Sequence, residues 1–169
     1  MQLDERFRIF RPGDVVIDLG ASPGGWTQVA AEKVGSGGLV IAVDMKPIEP
    51  VEGAVTVKGD ARSQVTQDRI RALLPRGKAD VIISDMAPNI SGAYGLDHAR
   101  SVELAGMAMK YAELFLRQGG NIVVKVFDGD MARDFFLGIG ERFSMAKRHS
   151  PKASRKTSSE IYMVGKGMR

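Results

Sequence analysis

"VVIDLGASPGGW", residues Val15 to Trp26, runs from a β-branched apolar stretch into a loop of three glycines and a proline. Val15-Val16-Ile17 reads as a buried strand, Gly20 to Gly25 as a tight turn, and Trp26 onward as a helix. A strand, a bare loop and a helix in that order open an α/β fold, and the rest of the chain repeats the alternation. Further strands are expected at Leu39 to Val43, Val55 to Lys58, Val81 to Ser84, Asn121 to Val126, Ser144 to Arg148 and Ile161 to Val164. Helices are expected near Trp26 to Val34, Gln64 to Leu74, Asp97 to Leu116 and Met131 to Gly140. The first five strands are nearly continuous apolar runs, the pattern of a parallel sheet buried on both faces. The stretch His149 to Glu160 is too short and polar for a crossover helix, so the last two strands should close as an antiparallel hairpin at the sheet edge. One domain spanning residues 1–169 is expected.

Composition narrows the chemistry. The chain has no cysteine and two histidines, His98 and His149, which excludes thiolate metal sites and makes a histidine-based one improbable; no metal is expected. No apolar run nears the roughly 18 residues of a membrane span, and "MQLDERFR" lacks the core of a secretory signal, so a cytoplasmic protein is expected. Net charge is +4, made of +6 on the residues from Glu141 onward and −2 on the first 140. Such a local basic excess is either a solvated loop or a phosphate-contacting patch.

In an open α/β sheet, ligands sit beyond the carboxyl ends of the strands where the strand order reverses. Asp18, Asp44, Asp60 and Asp85 fall at or just past the ends of the first four strands. The glycines follow G-x-x-P-G-G, neither the dinucleotide nor the P-loop spacing, which disfavours NAD and ATP. Asp44 lies where an acid can bind ribose hydroxyls, and Asp60 could accept from an adenine amino group. An acid-lined site for an adenosine without phosphates suits S-adenosylmethionine. Lys125, ending the run Ile122-Val123-Val124, is costly in a buried strand unless its ammonium meets carboxylates or emerges at the strand end.

"VVIDLGASPGGWTQ", "SDMAPNISG", "NIVVKVFDGD" and "KASRKTSSEIYMVGKG" together resemble the motifs of the FtsJ-type ribosomal RNA 2′-O-ribose methyltransferases, in order and over nearly the whole chain. The resemblance implies a Rossmann-like class I methyltransferase fold: a mostly parallel seven-stranded sheet with helices on both faces. It implies S-adenosylmethionine as donor, held by Gly24, Gly25, Trp26, Asp44, Asp60 and Asp85. It also implies transfer to a uridine ribose of large-subunit ribosomal RNA, and a catalytic set in which Asp85, Lys125 and Glu160 match three members of a Lys-Asp-Lys-Glu tetrad. Lys125 would activate the hydroxyl, as a neutral amine or as an ammonium. The first tetrad lysine belongs to a basic leading segment, and here Gln2 falls at its position, so that segment is expected to be lacking.

Lys152, Arg155 and Lys156 lead straight to Glu160 and are candidate RNA phosphate contacts. The competing readings are a weakly active or inactive donor-binding ribosome-assembly factor, a 2′-O-methyltransferase for tRNA or another RNA, and a nicotinamide oxidoreductase. The family resemblance implies a monomer. Tyr94 reads equally as a substrate contact or as part of a mobile glycine-flanked loop. His98 and His149 read as structural or exposed.

Overall fold

The computed structural model describes residues 2–151 and 160–169. Seven strands, β1 (Val15–Leu19), β2 (Leu39–Asp44), β3 (Ala54–Lys58), β4 (Ala79–Ser84), β5 (Leu116–Phe127), β6 (Phe143–His149) and β7 (Glu160–Met168), form one sheet in the order β3-β2-β1-β4-β5-β7-β6. The first five pair in parallel, while β7 runs antiparallel to both β5 and β6. The chain steps outward from β1 to β3, then returns to β4 on the other side of β1. That reversal places a crevice above the carboxyl ends of β1 and β4.

Alternating side chains along each strand build two apolar layers. Ile17, Leu19, Ile41, Val43, Ile82, Ile122 and Val124 face helices α3 (Gln64–Leu73), α4 (Tyr94–Phe115) and α5 (Asp130–Arg142). Val16, Val40, Val81, Ile83 and Val123 face α1 (Gln2–Phe7) and α2 (Gly25–Val34). Because both faces are covered, the central strands must be apolar at nearly every position, which is why they read as unbroken runs.

The structure departs from the sequence expectation at two places, the edge position of β3 and the presence of α1. β3 is an edge strand and its Val55 is 38% exposed, so only four of the first five strands are buried on both faces. The antiparallel pair expected at the sheet edge is present, with β7 against β5 and β6 outermost. α1 has no counterpart in the periodicity, since six residues carry too little pattern to show an amphipathic face.

α1 is held by a carboxylate. The Asp4 side chain accepts hydrogen bonds from the backbone N–H groups of Ile9 (2.9 Å) and Phe10 (3.0 Å) and lies 3.4 Å from Lys33 Nζ on α2. Ile9 and Phe10 are themselves buried, so removing the acceptor strands two donors away from water. Asp4→Ala is expected to lower unfolding free energy by about 2 kcal/mol, read as a lower urea midpoint at unchanged m-value.

Candidate active site

The loops at the carboxyl ends are locked to one another through backbone hydrogen bonds. Gly20 N–H and Ala21 N–H both donate to Val43 O (3.0 and 3.2 Å), Gly59 N–H donates to Asp44 O (2.9 Å), and Asp85 N–H donates to Leu19 O (3.0 Å). Gly20 has φ +73°, and a Cβ there would lie 2.8 Å from Met86 N, so a side chain is excluded both by conformation and by the neighbouring loop. A Cβ on Gly25 would meet nothing within 4 Å, leaving the start of α2 open.

The four strand-end carboxylates differ. Asp18 is fully buried: Thr27 Oγ1 donates to its Oδ2 at 2.6 Å, and its Oδ1 has no hydrogen-bond partner among the described residues. Burial, opposed by the Thr27 bond and reinforced by the charges of Asp85 and Asp44, raises its pKa to about 7. Asp44 accepts from the N–H groups of Ser22 (3.0 Å) and Lys46 (2.8 Å). Asp60 is clasped by Arg62, which donates to it from its backbone N–H (2.9 Å) and from Nη2 (3.0 Å). Those hydrogen bonds hold the Asp60 carboxyl below the usual carboxylate range.

Asp85 meets Lys125. Lys125 Nζ stands 2.9 Å from Asp85 Oδ1 and 3.9 Å from Glu160 Oε1, and the residue is only 8% exposed. The sheet register explains the meeting. Lys125 lies opposite Tyr162 and Phe127 opposite Glu160 on the β5–β7 ladder, so Lys125, Tyr162 and Glu160 share one face, and the neighbouring β4 ends at Ser84 beside Asp85. Tyr162 Oη donates to Asp85 Oδ1 at 3.3 Å, and its ring packs on Trp26 with centroids 5.6 Å apart. Burial, then the Asp85 and Glu160 charges, push the Tyr162 hydroxyl well above the ordinary phenol range, so it stays a donor.

The structure therefore brings together Asp85, Lys125 and Glu160, and connects them through Tyr162 to Trp26 at the start of α2. Tyr162 was absent from the sequence reading. Its signal was its place two residues after Glu160 in a strand, which puts both on one face. Gly24 and Gly25 line a groove of about 830 Å³ along the α2 flank with Pro23, Gln28 and Glu49, while Asp44, Asp60, Asp85 and Lys125 do not line it. Lys152, Arg155 and Lys156 lie outside the described residues. Among the described residues no group of His, Asp and Glu is placed to hold a metal ion, and no helix is long and apolar enough to cross a membrane.

An amine paired with two carboxylates at the carboxyl ends of the strands can orient a hydroxyl and manage its proton. Residues 1–168 match the family profile of the FtsJ-like methyltransferases. The chain belongs to that family.

The FtsJ-like chain is similar to proteins named or described as ribosomal RNA methyltransferases. It is 50% identical over 165 residues to a Methanothrix thermoacetophila protein named "Ribosomal RNA large subunit methyltransferase E", covering 98% of this chain and 64% of that protein. A Methanocaldococcus jannaschii protein of the same name is 45% identical over 170 residues, covering 98% and 69%. The chain thus spans somewhat under two thirds of the length of the first of these. Among solved structures, a Plasmodium falciparum chain described as a ribosomal RNA methyltransferase matches with a TM-score of 0.87 at 24% identity, covering 99% of this chain and 93% of that one. Aeropyrum pernix fibrillarin, solved with natively bound S-adenosyl-L-methionine, matches with a TM-score of 0.65 at 18% identity, covering 90% and 67%. At those identities the likeness is one of fold: the Rossmann-like methyltransferase sheet.

Proposed function

We propose that the chain is an S-adenosylmethionine-dependent RNA methyltransferase that modifies a ribose 2′-hydroxyl, with a uridine of large-subunit ribosomal RNA as target. The observation that carries the reading is the buried Lys125 amine, 2.9 Å from Asp85 at the strand ends of this fold. The residues suit a cationic, phosphate-free donor. Asp44 and Asp85 offer carboxylates at the crevice, Asp60 can share its Arg62-bound carboxylate with an amino group, and Gly24, Gly25 and Trp26 form the entry to α2 with free space in front of Gly25.

When bound, the donor supplies an electrophilic methyl group. A ribose hydroxyl is a poor nucleophile, and Lys125 improves it in one of two ways: as an amine it accepts the hydroxyl proton, or as an ammonium it donates to the oxygen, stabilising the negative charge that develops as the hydroxyl proton passes to water. Asp85 and Glu160 fix the position of Nζ, and Tyr162, donating to Asp85, fixes Asp85 in turn. Lys152, Arg155 and Lys156, just ahead of Glu160 in the sequence, suit RNA phosphates.

Incubating the chain with methyl-labelled S-adenosylmethionine and large ribosomal subunits lacking ribose methylation is expected to place label on a 2′-oxygen, seen as one phosphodiester that resists alkaline hydrolysis. Donor binding by calorimetry without any transfer would instead leave a donor-binding assembly factor. Heat of binding from NAD rather than S-adenosylmethionine would overturn the reading altogether.

A further inference from the structure

Just past the carboxyl end of β5, the strand that carries Lys125, the backbone meets an aromatic residue that the proposed chemistry does not use. Tyr94 opens α4 and is 62% exposed, yet both its hydroxyl and its ring have partners. Its hydroxyl donates to Asp128 O at 2.7 Å. Its ring lies parallel to that of His98, 7° apart in plane with centroids separated by 6.2 Å. His98 is buried and fixed: Nδ1–H donates to Phe127 O (3.1 Å) and Nε2 accepts from Met131 N–H (3.2 Å). Gly129 packs so closely on the imidazole that a Cβ there would sit 2.6 Å from Cε1. The loop leading to Tyr94 is pinned as well, because the Asp97 carboxylate accepts from Ser91 N–H (2.9 Å), Ser91 Oγ (2.7 Å) and Gly92 N–H (3.2 Å). These bonds favour the substrate-contact reading of Tyr94 over the mobile-loop one.

An exposed aromatic ring that is already immobilised loses little entropy when a flat ligand stacks on it. Tyr94 forms one wall of a cavity of about 590 Å³ whose other walls are Asp128, Gly129, Asp130, Arg133 and Asp134. Asp128 is engaged by Arg148 Nη2 (2.7 Å) and by Gly129 N–H (3.1 Å), so the carboxylates of Asp130 and Asp134, beside Arg133, are the ones that offer acceptors to the N–H groups of a base. Asp128 follows Lys125 by three residues, just past the end of β5, so the two lie at most about 10 Å apart along the chain, a reach of one to two nucleotides.

We propose that Tyr94, backed by His98, is a stacking platform for an unpaired nucleobase flanking the methylated nucleotide. The proposal rests on the RNA-methyltransferase reading of the neighbouring site. Its test therefore measures RNA binding and methyl transfer separately. With a fluorescently labelled single-stranded RNA spanning the target, Tyr94→Ala is expected to weaken binding about 5- to 100-fold by anisotropy, Tyr94→Phe and Tyr94→Trp only about threefold or less, and S-adenosylmethionine affinity is expected to stay unchanged in all three. RNAs carrying one abasic nucleotide at each successive position near the target should include one that binds the unmodified protein as weakly as Tyr94→Ala binds intact RNA, with no further loss when the two are combined. This second arm needs no variant to fold.

Tyr94→Ala binding RNA within twofold of the unmodified chain, or no abasic position mattering, overturns the platform. If methyl transfer persists in that case, the catalytic reading stands without it. Stacking of the expected size with no methyl transfer to large subunits keeps the platform and removes the catalytic reading; absence of any affinity for the RNA removes the platform, and transfer to large subunits then decides the catalytic reading on its own.

Discussion

Lys125→Ala is expected to lower the rate of methyl transfer by about 10²- to 10⁴-fold, the range typical for loss of a positioned acid–base group. Donor affinity should change by less than about twofold, since no donor residue proposed here other than Asp85 touches Lys125. The comparison that distinguishes roles is Lys125→Arg. A guanidinium keeps the charge beside Asp85 but does not give up its proton in a protein. Arginine restoring more than about a tenth of the activity would assign Lys125 to holding the developing oxyanion; arginine as inactive as alanine would assign it to removing the proton. Asp85 and Glu160 are both partly open to solvent, so removing the amine leaves charges that water can reach, and thermal midpoints should move by only a few degrees. Transfer undiminished in Lys125→Ala would remove the residue from the mechanism.

The second large effect concerns Asp18. Its pKa of about 7 lies above its ordinary value of 3.8, because burial disfavours the carboxylate. Between those values the folded chain holds one proton more than the unfolded chain, so stability falls as pH rises, by roughly 1 kcal/mol per pH unit, and the loss levels off above the folded value. From pH 5 to pH 7 the protein should lose about 2 kcal/mol through this group. Asp18→Asn removes that dependence while keeping an acceptor for Thr27 Oγ1. It also places an amide NH2 where Oδ1 has no partner among the described residues, a cost present at every pH. The variant should therefore be less stable than the parent at pH 5, with the difference shrinking or reversing by pH 8. Urea midpoints measured across that range check it, and parallel profiles for the two proteins would show Asp18 to be ionised in the folded state.

What could be read in the sequence was local. The Val15–Trp26 stretch gives strand, turn and helix from neighbouring residues, because buried β-branched runs and glycine-rich turns are decided over a few positions. Lys125 stood out for the same reason: one charge at the end of an apolar run. The hold of Arg62 on Asp60 is local too, a carboxylate bonding the backbone two residues on, a role that a strand-end carboxylate can combine with binding a ligand. The exposed face of β3 was misread because a short apolar run looks the same in a central strand as at an edge.

By itself, the sequence determined the alternating α/β order, the carboxylates at successive strand ends and the family of the chain, all carried by short stretches of contiguous residues. Tertiary structure decided which of these groups meet. β7 inserts beside β5 and not at the edge, burying Ile161 and Met163 on one face and Val164 on the other, and that register brings Glu160 and Tyr162 next to Lys125 from 35 to 37 positions away. It also seated Asp18 out of water, tied α1 down through Asp4, and stacked Tyr94 on His98. The physical reason is common to all of them: strand register and side-chain burial are set by which apolar faces cover one another across the whole sheet, a long-range choice that no window of sequence contains.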